Sequence, residues 1–220
     1  MLFRDIIRRD LKLSIRRSTD VLTGLIFFLL IALIFPLAAG TERDLLLKMV
    51  GPVMLISALL ASMMSIQNIF KPDYINGYLE QMMITTNSFS ALIAVKIMMF
   101  WMIFSMPLIV IASFIASTYY VTGFSIFTVV LTLLLSTLSL VNLSAFAASL
   151  TLAIRYPGAL ISLIVIPLSL PIIIFGSKAI EYSILSMDNS GPLYFLTGMM
   201  FFTCSLGPLV TASAIKISID

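Results

Sequence analysis

Histidine is absent from this chain, and cysteine occurs once, as Cys204. The first absence removes the side chain that most often serves as general base, metal ligand or haem ligand near neutral pH. The second rules out an intrachain disulfide framework, and with it any inference about redox compartment. A structural zinc site draws its four ligands mainly from Cys and His, so that spacing is excluded as well. Charge is scarce too. Asp, Glu, Lys and Arg make up 10% of the 220 residues, against 60% hydrophobic, whereas a soluble domain carries about 25% charged residues. So little charge does not cover a water-facing surface, and the solvent of this chain is therefore lipid. A phosphate-cradling loop is also missing. It needs Gly, four residues, then Gly-Lys and Ser or Thr, and the nearest fragment, Gly176-Ser177-Lys178, has neither the earlier glycine nor the order. The chain does not bind ATP by itself. Its net charge of +3 is small, and the basic residues gather near the N-terminus, which fits membrane topology and not a nucleic-acid surface.

What is present is a series of long apolar runs. A span takes roughly 20 apolar residues, so residues 1–220 form one transmembrane domain of about six helices, with no room for a separate soluble domain. The runs fall at 21–39, 45–66, 91–118, 125–154, 159–176 and 192–216. Trp101 lies inside the third, and Tyr119-Tyr120 stand at its far boundary, where amphipathic rings collect. Pro107, Pro167, Pro171 and Pro208 sit inside spans and favour kinks. Residues 177–191 are polar enough to leave the membrane, with Lys178, Glu181, Tyr182 and Leu185 on one short surface helix. Residues 1–20 set Leu2, Phe3, Ile6, Ile7, Leu11 and Ile15 against Arg4, Arg8, Arg9, Lys12 and Arg16. That pattern predicts an amphipathic helix lying in the headgroup layer, with a disordered basic tail as the alternative.

Orientation follows from Lys and Arg. With the N-terminus cytoplasmic, ten of the 13 fall on that side and only Arg43, Lys48 and Lys178 on the other. Both termini and the connection between spans two and three are then cytoplasmic. That connection is the longest polar interval, and it predicts a surface helix over 71–84. Pro72 suits a first helical turn, and Asp73 beside it complements the dipole. Asn76 and Glu80 share a face with Asp73 near its edge; Tyr74 and Tyr78 share the next face. Gly77 allows close approach of a backbone. Asp73, Tyr74, Asn76, Gly77, Tyr78, Glu80 and Gln81 are the candidate contact for a soluble partner, against the plainer reading of a solvated loop. No catalytic, cofactor or metal-binding residue is expected. Asn142 is the main amide inside a span, suited to an interhelical hydrogen bond of about 1 kcal/mol or, less simply, to substrate contact.

From Asn76-Gly77-Tyr78-Leu79-Glu80-Gln81 onward the chain resembles the CcmB family, whose members carry Asp-Gly-x-Leu-Glu-Gln there. Gly77, Leu79, Glu80 and Gln81 match, and Lys96 and Trp101 follow in place. Arg155, Gly158, Pro167-Leu168, Pro171 and Phe175-Gly176 are similar to later family segments, as is the ending from Ser205-Leu206-Gly207-Pro208 to Ile215-Lys216-Ile217-Ser218. Departures fall at Asn76, at Thr85-Thr86-Asn87, at Phe100 in place of a histidine, and at Pro157 in place of a glycine. The resemblance implies an all-α integral membrane protein of the type-2 ABC exporter plan, in a bacterial inner membrane. It has an N-terminal interfacial helix and a coupling helix between spans two and three. It implies a CcmA-type ATPase as partner, with CcmC and CcmD completing the complex and haem-loaded CcmE as the chaperone released. ATP and haem would then be held by those partners, and no cofactor by this chain directly. An ABC core has two membrane halves, so the chain pairs with a second copy of itself or with another membrane subunit. Alternatives are a type-2 exporter of lipid, polysaccharide or drug, and a scaffold that transports nothing.

Overall fold

A computed structural model describes residues 18–40, 42–85, 88–154 and 157–219. All the regular structure among the described residues is helical. Six long helices cross: α1 (Ser18–Ala39), α2 (Arg43–Ile66), α5 (Phe89–Thr118), α6 (Phe124–Leu150), α7 (Gly158–Ile184) and α8 (Ser190–Ile219). Two short ones, α3 (Lys71–Ile75) and α4 (Tyr78–Thr85), fill the connection between α2 and α5. At about 1.5 Å per residue even the shortest long helix, with 22 residues, covers the hydrocarbon layer of about 30 Å. All six are long and apolar enough to cross a membrane, so the chain is a multi-pass membrane protein. The amphipathic helix expected at 1–20 lies mostly outside the described residues; of it, 18–20 belong to the first turn of α1.

Helices α2 and α6 form the centre. Of the apolar window of each, 61% is buried, against 17% for α1 and α8 and 22% for α7. The sequence of α6 explains its place. Ser136, Ser139, Ser144, Ala145, Ala147, Ala148 and Ser149 are all buried, and small residues let neighbouring backbones approach where lipid supplies no hydrophobic drive between helices. Several hydroxyls in this interior turn back on their own helix. Ser139 donates to the Leu135 carbonyl at 3.2 Å and Ser149 to that of Phe146 at 2.6 Å, which meets the demand for partners inside hydrocarbon. Two glycines fix how α7 packs. A Cβ on Gly176 would lie 2.6 Å from Leu55 Cδ1 and 3.3 Å from Ser136 Oγ, and one on Gly51 would lie 3.0 Å from Ser177 Cα. Between α6 and α5, Trp101 Nε1 donates to Thr137 Oγ1 at 3.1 Å. Asn142 donates to the Leu138 carbonyl at 2.9 Å and reaches Cys204 Sγ on α8 at 3.8 Å, which makes it a packing residue between two spans.

Two expectations need correction. The fifth span does not end at 176. It runs unbroken to Ile184, and the separate surface helix over 178–185 does not exist. Gly176 is held by its neighbours instead of ending the helix, and Lys178 reaches Glu181 one turn on at 2.7 Å, so charged residues continue the helix past the apolar layer. Tyr119, expected in an interfacial belt, is fully buried and donates its hydroxyl to the Ala32 carbonyl at 2.7 Å, tying the end of α5 to α1. Only Tyr120, 43% exposed, faces outward there.

Because the spans alternate, the end of α8, the α3–α4 segment and residues 151–154 share one end of the bundle, here the near end. Gly40, Glu42 and the turns at 119–123 and 185–189 share the far end.

Candidate functional site

The polar connection forms a compact cap on the near end. After α2 the chain turns through Ile69, whose amide bonds the Ile66 carbonyl at 2.9 Å, and the buried Phe70. Phe70 then starts α3: its carbonyl accepts from the amides of Asp73 and Tyr74 at 3.1 and 3.0 Å. Pro72 sits in the first turn, where its missing N–H costs nothing. The helix stops after five residues. Gly77 adopts φ +67°, a left-handed conformation that is easy for glycine and costs other residues about 1–2 kcal/mol. It reverses the backbone and starts α4. The expected single helix over 71–84 is therefore two helices joined at an elbow, and helical spacing does not carry across from Asn76 to Glu80.

The seven candidate residues separate by environment. Asn76, Glu80 and Gln81 are exposed, and Tyr74, Gly77 and Tyr78 are half-buried. Asp73 faces inward. It is 3% exposed and paired with Lys96 of α5, because a lysine seven residues inside a transmembrane helix demands a counter-charge. Lys96 Nζ also lies 5.8 Å from the centroid of the Phe70 ring. Removing the carboxylate from such a buried pair costs about 3–5 kcal/mol, since the lysine's charge stays behind unpaired. Tyr74 donates its hydroxyl to the Ser218 carbonyl at 3.5 Å, and Ser218 Oγ donates to the Ser149 carbonyl at 3.3 Å. Leu79 and Met82 pin α4 with their buried side chains.

The outward surface thus offers one carboxylate (Glu80) and two amides (Asn76 and Gln81). Beside them stand two isoleucines that composition had not marked: Ile75 is 71% and Ile84 88% exposed. A surface that mixes acceptors with bare aliphatic groups can receive a basic or N–H-lined groove with apolar edges. Sequence reasoning also missed Lys96 and Ser218 as supports. Lys96 enters the sequence reading as a topological charge and as a position of the family resemblance, and its depth in the span is the signal for a buried counter-charge. The departures at the other positions have simple settings. Phe100 stacks on Phe104 with centroids 5.7 Å apart, Thr85 hydrogen-bonds the Gln81 carbonyl within α4, and Pro157 caps the start of α7.

At the far end a cavity of about 240 Å³ is lined by Asp44, Leu47, Lys48, Glu181, Ile184 and Leu185.

Residues 1–218 match the CcmB protein family. The heme exporter protein B of Haemophilus influenzae is 34% identical over 220 residues, covering all of both chains. That of Escherichia coli is 32% identical over 220 residues, again all of both. That of Pseudomonas aeruginosa is 30% identical over 217 residues, 99% of this chain and 97% of its own. Similarity over every span and over the α3–α4 segment, in a bundle of the expected six helices, leads to one conclusion: the chain belongs to the CcmB family.

Proposed function

We propose that this chain is the membrane permease subunit of an ABC complex that serves cytochrome c biogenesis in a bacterial inner membrane. In this reading the near end is cytoplasmic, which the distribution of Lys and Arg supports. A CcmA-type ATPase docks on Asn76, Glu80 and Gln81, with Tyr74, Gly77 and Tyr78 shaping the segment. ATP hydrolysis there moves the spans, and the movement releases haem-loaded CcmE from CcmC on the opposite side, with CcmD completing the complex. The chain is a mechanical subunit with no catalytic role of its own. In this reading haem belongs to the partner subunits, and the lack of histidine, the commonest axial ligand, argues against tight ligation by this chain. A second copy of the chain, or another membrane subunit, completes the two halves of the core.

The observation that carries this reading is the exposed Glu80 surface on a segment fastened to the bundle, in a family whose named relatives are haem exporters. A lipid-embedded chain without a nucleotide loop can still transport if an attached motor supplies the energy, and this surface is the contact we propose for it. The test is Glu80→Ala. It should accumulate normally, since Glu80 is exposed, yet lower the yield of c-type cytochromes about tenfold, the effect of roughly 1.4 kcal/mol of lost coupling. A normal yield, or failure of any ATPase subunit to co-purify with the wild-type chain, overturns it.

A further inference from the structure

We propose that Asp73 is a positioning residue: paired with Lys96, it locks α3 onto the third span, so that force applied to the segment enters α5. This rests on the reading of the segment as the ATPase contact. Four observations support it. First, the pair is shielded, with side chains 11% and 4% exposed for Lys96 and Asp73 and the Phe70 ring alongside, so neither water nor salt loosens it as they would a surface pair. Second, Lys96 lies seven residues past the start of α5. That is about 10 Å along the helix axis, so the join is made inside the helix and not at its fraying end. Third, the neighbouring Tyr74 fastens the same short helix to α8 through Ser218, which reaches α6 at Ser149. Two spans therefore hold one turn of helix directly, and α8 passes the join on to a third. Fourth, the chain next turns at Gly77, where a Cβ would meet none of the described residues within 4 Å. Helix α3 is the fixed arm of an elbow, and α4, with Glu80 on its surface, is the arm a partner pushes. Asp73 itself is turned away from that partner.

The test compares four variants in the assembled complex: Asp73→Asn, Lys96→Gln, the reversal Asp73→Lys with Lys96→Asp, and Asp73→Glu. Membrane level, co-purification of the ATPase, its hydrolysis rate and c-type cytochrome yield are read for each. The two neutralising variants should keep the ATPase bound and hydrolysing while yield per ATP falls about tenfold. The reversal and Asp73→Glu should restore it. Unchanged yield in the neutralising variants overturns the proposal. So does loss of ATPase binding that the reversal fails to mend, since Asp73 would then be a direct contact; the proposed function survives either result. Should the variants not accumulate, the native chain decides. A lipophilic carbodiimide should join the Asp73 carboxyl to the Lys96 amine in membranes, and absence of that cross-linked peptide overturns the proposal. If no ATPase binds the wild-type chain, the fault lies in the functional reading itself.

Discussion

A lysine meets a carboxylate at each end of the bundle. At the near end Lys96 and Asp73 are 11% and 4% exposed, and at the far end Lys178 and Glu181 are 50% and 36% exposed, with 2.7 Å between their charged atoms. The near pair joins residues 23 apart in sequence and two separate helices, whereas the far pair spans three residues of one helix. The far pair decorates α7 and lets it run on into water. The near pair holds a folded segment against a span. Composition treats the two alike, and burial separates them.

The largest expected effect breaks the near pair. Asp73→Leu leaves the shielded Lys96 without its carboxylate and should lower stability by about 3–5 kcal/mol, and adding Lys96→Met should recover most of it. Unfolding of the detergent-solubilised chain by rising SDS measures both. If Lys178→Met costs as much, the distinction between the two ends fails.

A smaller effect separates the ends by function. Gly77 and Gly40 both adopt positive φ, +67° and +73°, one at each end. Alanine at either should cost about 1 kcal/mol of backbone strain. Only Gly77→Ala should also lower c-type cytochrome yield, because only that elbow joins the proposed docking surface to the anchored helix. Equal yields from the two variants remove the elbow's special role.

The six spans were legible because each is a long apolar run, and hydropathy depends on the residues themselves whatever their neighbours. The α3–α4 segment was legible for the converse reason, as the polar interval between two such runs. What was not legible depends on direction. Asp73 faces inward because of a lysine on another helix, and nothing in the spacing of Asp73, Asn76 and Glu80 records that. A continuous helix would have kept Asp73 beside Glu80; the left-handed turn at Gly77 detaches them, and Asn-Gly was the available warning. Tyr119 was misplaced for a similar reason. A tyrosine at a span boundary suits either the headgroups or a buried carbonyl, and the Ala32 carbonyl that claims it lies 87 residues earlier. The extension of α7 was missed because Gly176 reads as a terminator, although it is the contact that Leu55 and Ser136 close upon.

The smallest expected effect tests the far end alone. Glu181 borders the cavity with Asp44 and Lys48, so Glu181→Gln removes a charge from a site that already holds both signs. Exposed pairs are weakened by water and by salt, and this one joins no separate elements. The variant should therefore unfold with the wild type, and raising the salt concentration should not part the two curves. Lys96→Gln should stay displaced from wild type at every salt concentration, because salt does not reach a pair under Phe70. A salt-dependent gap for Lys96→Gln would mean that water enters beneath the segment, and α3 would then be a lid resting on the bundle, free to lift, instead of a fixed arm.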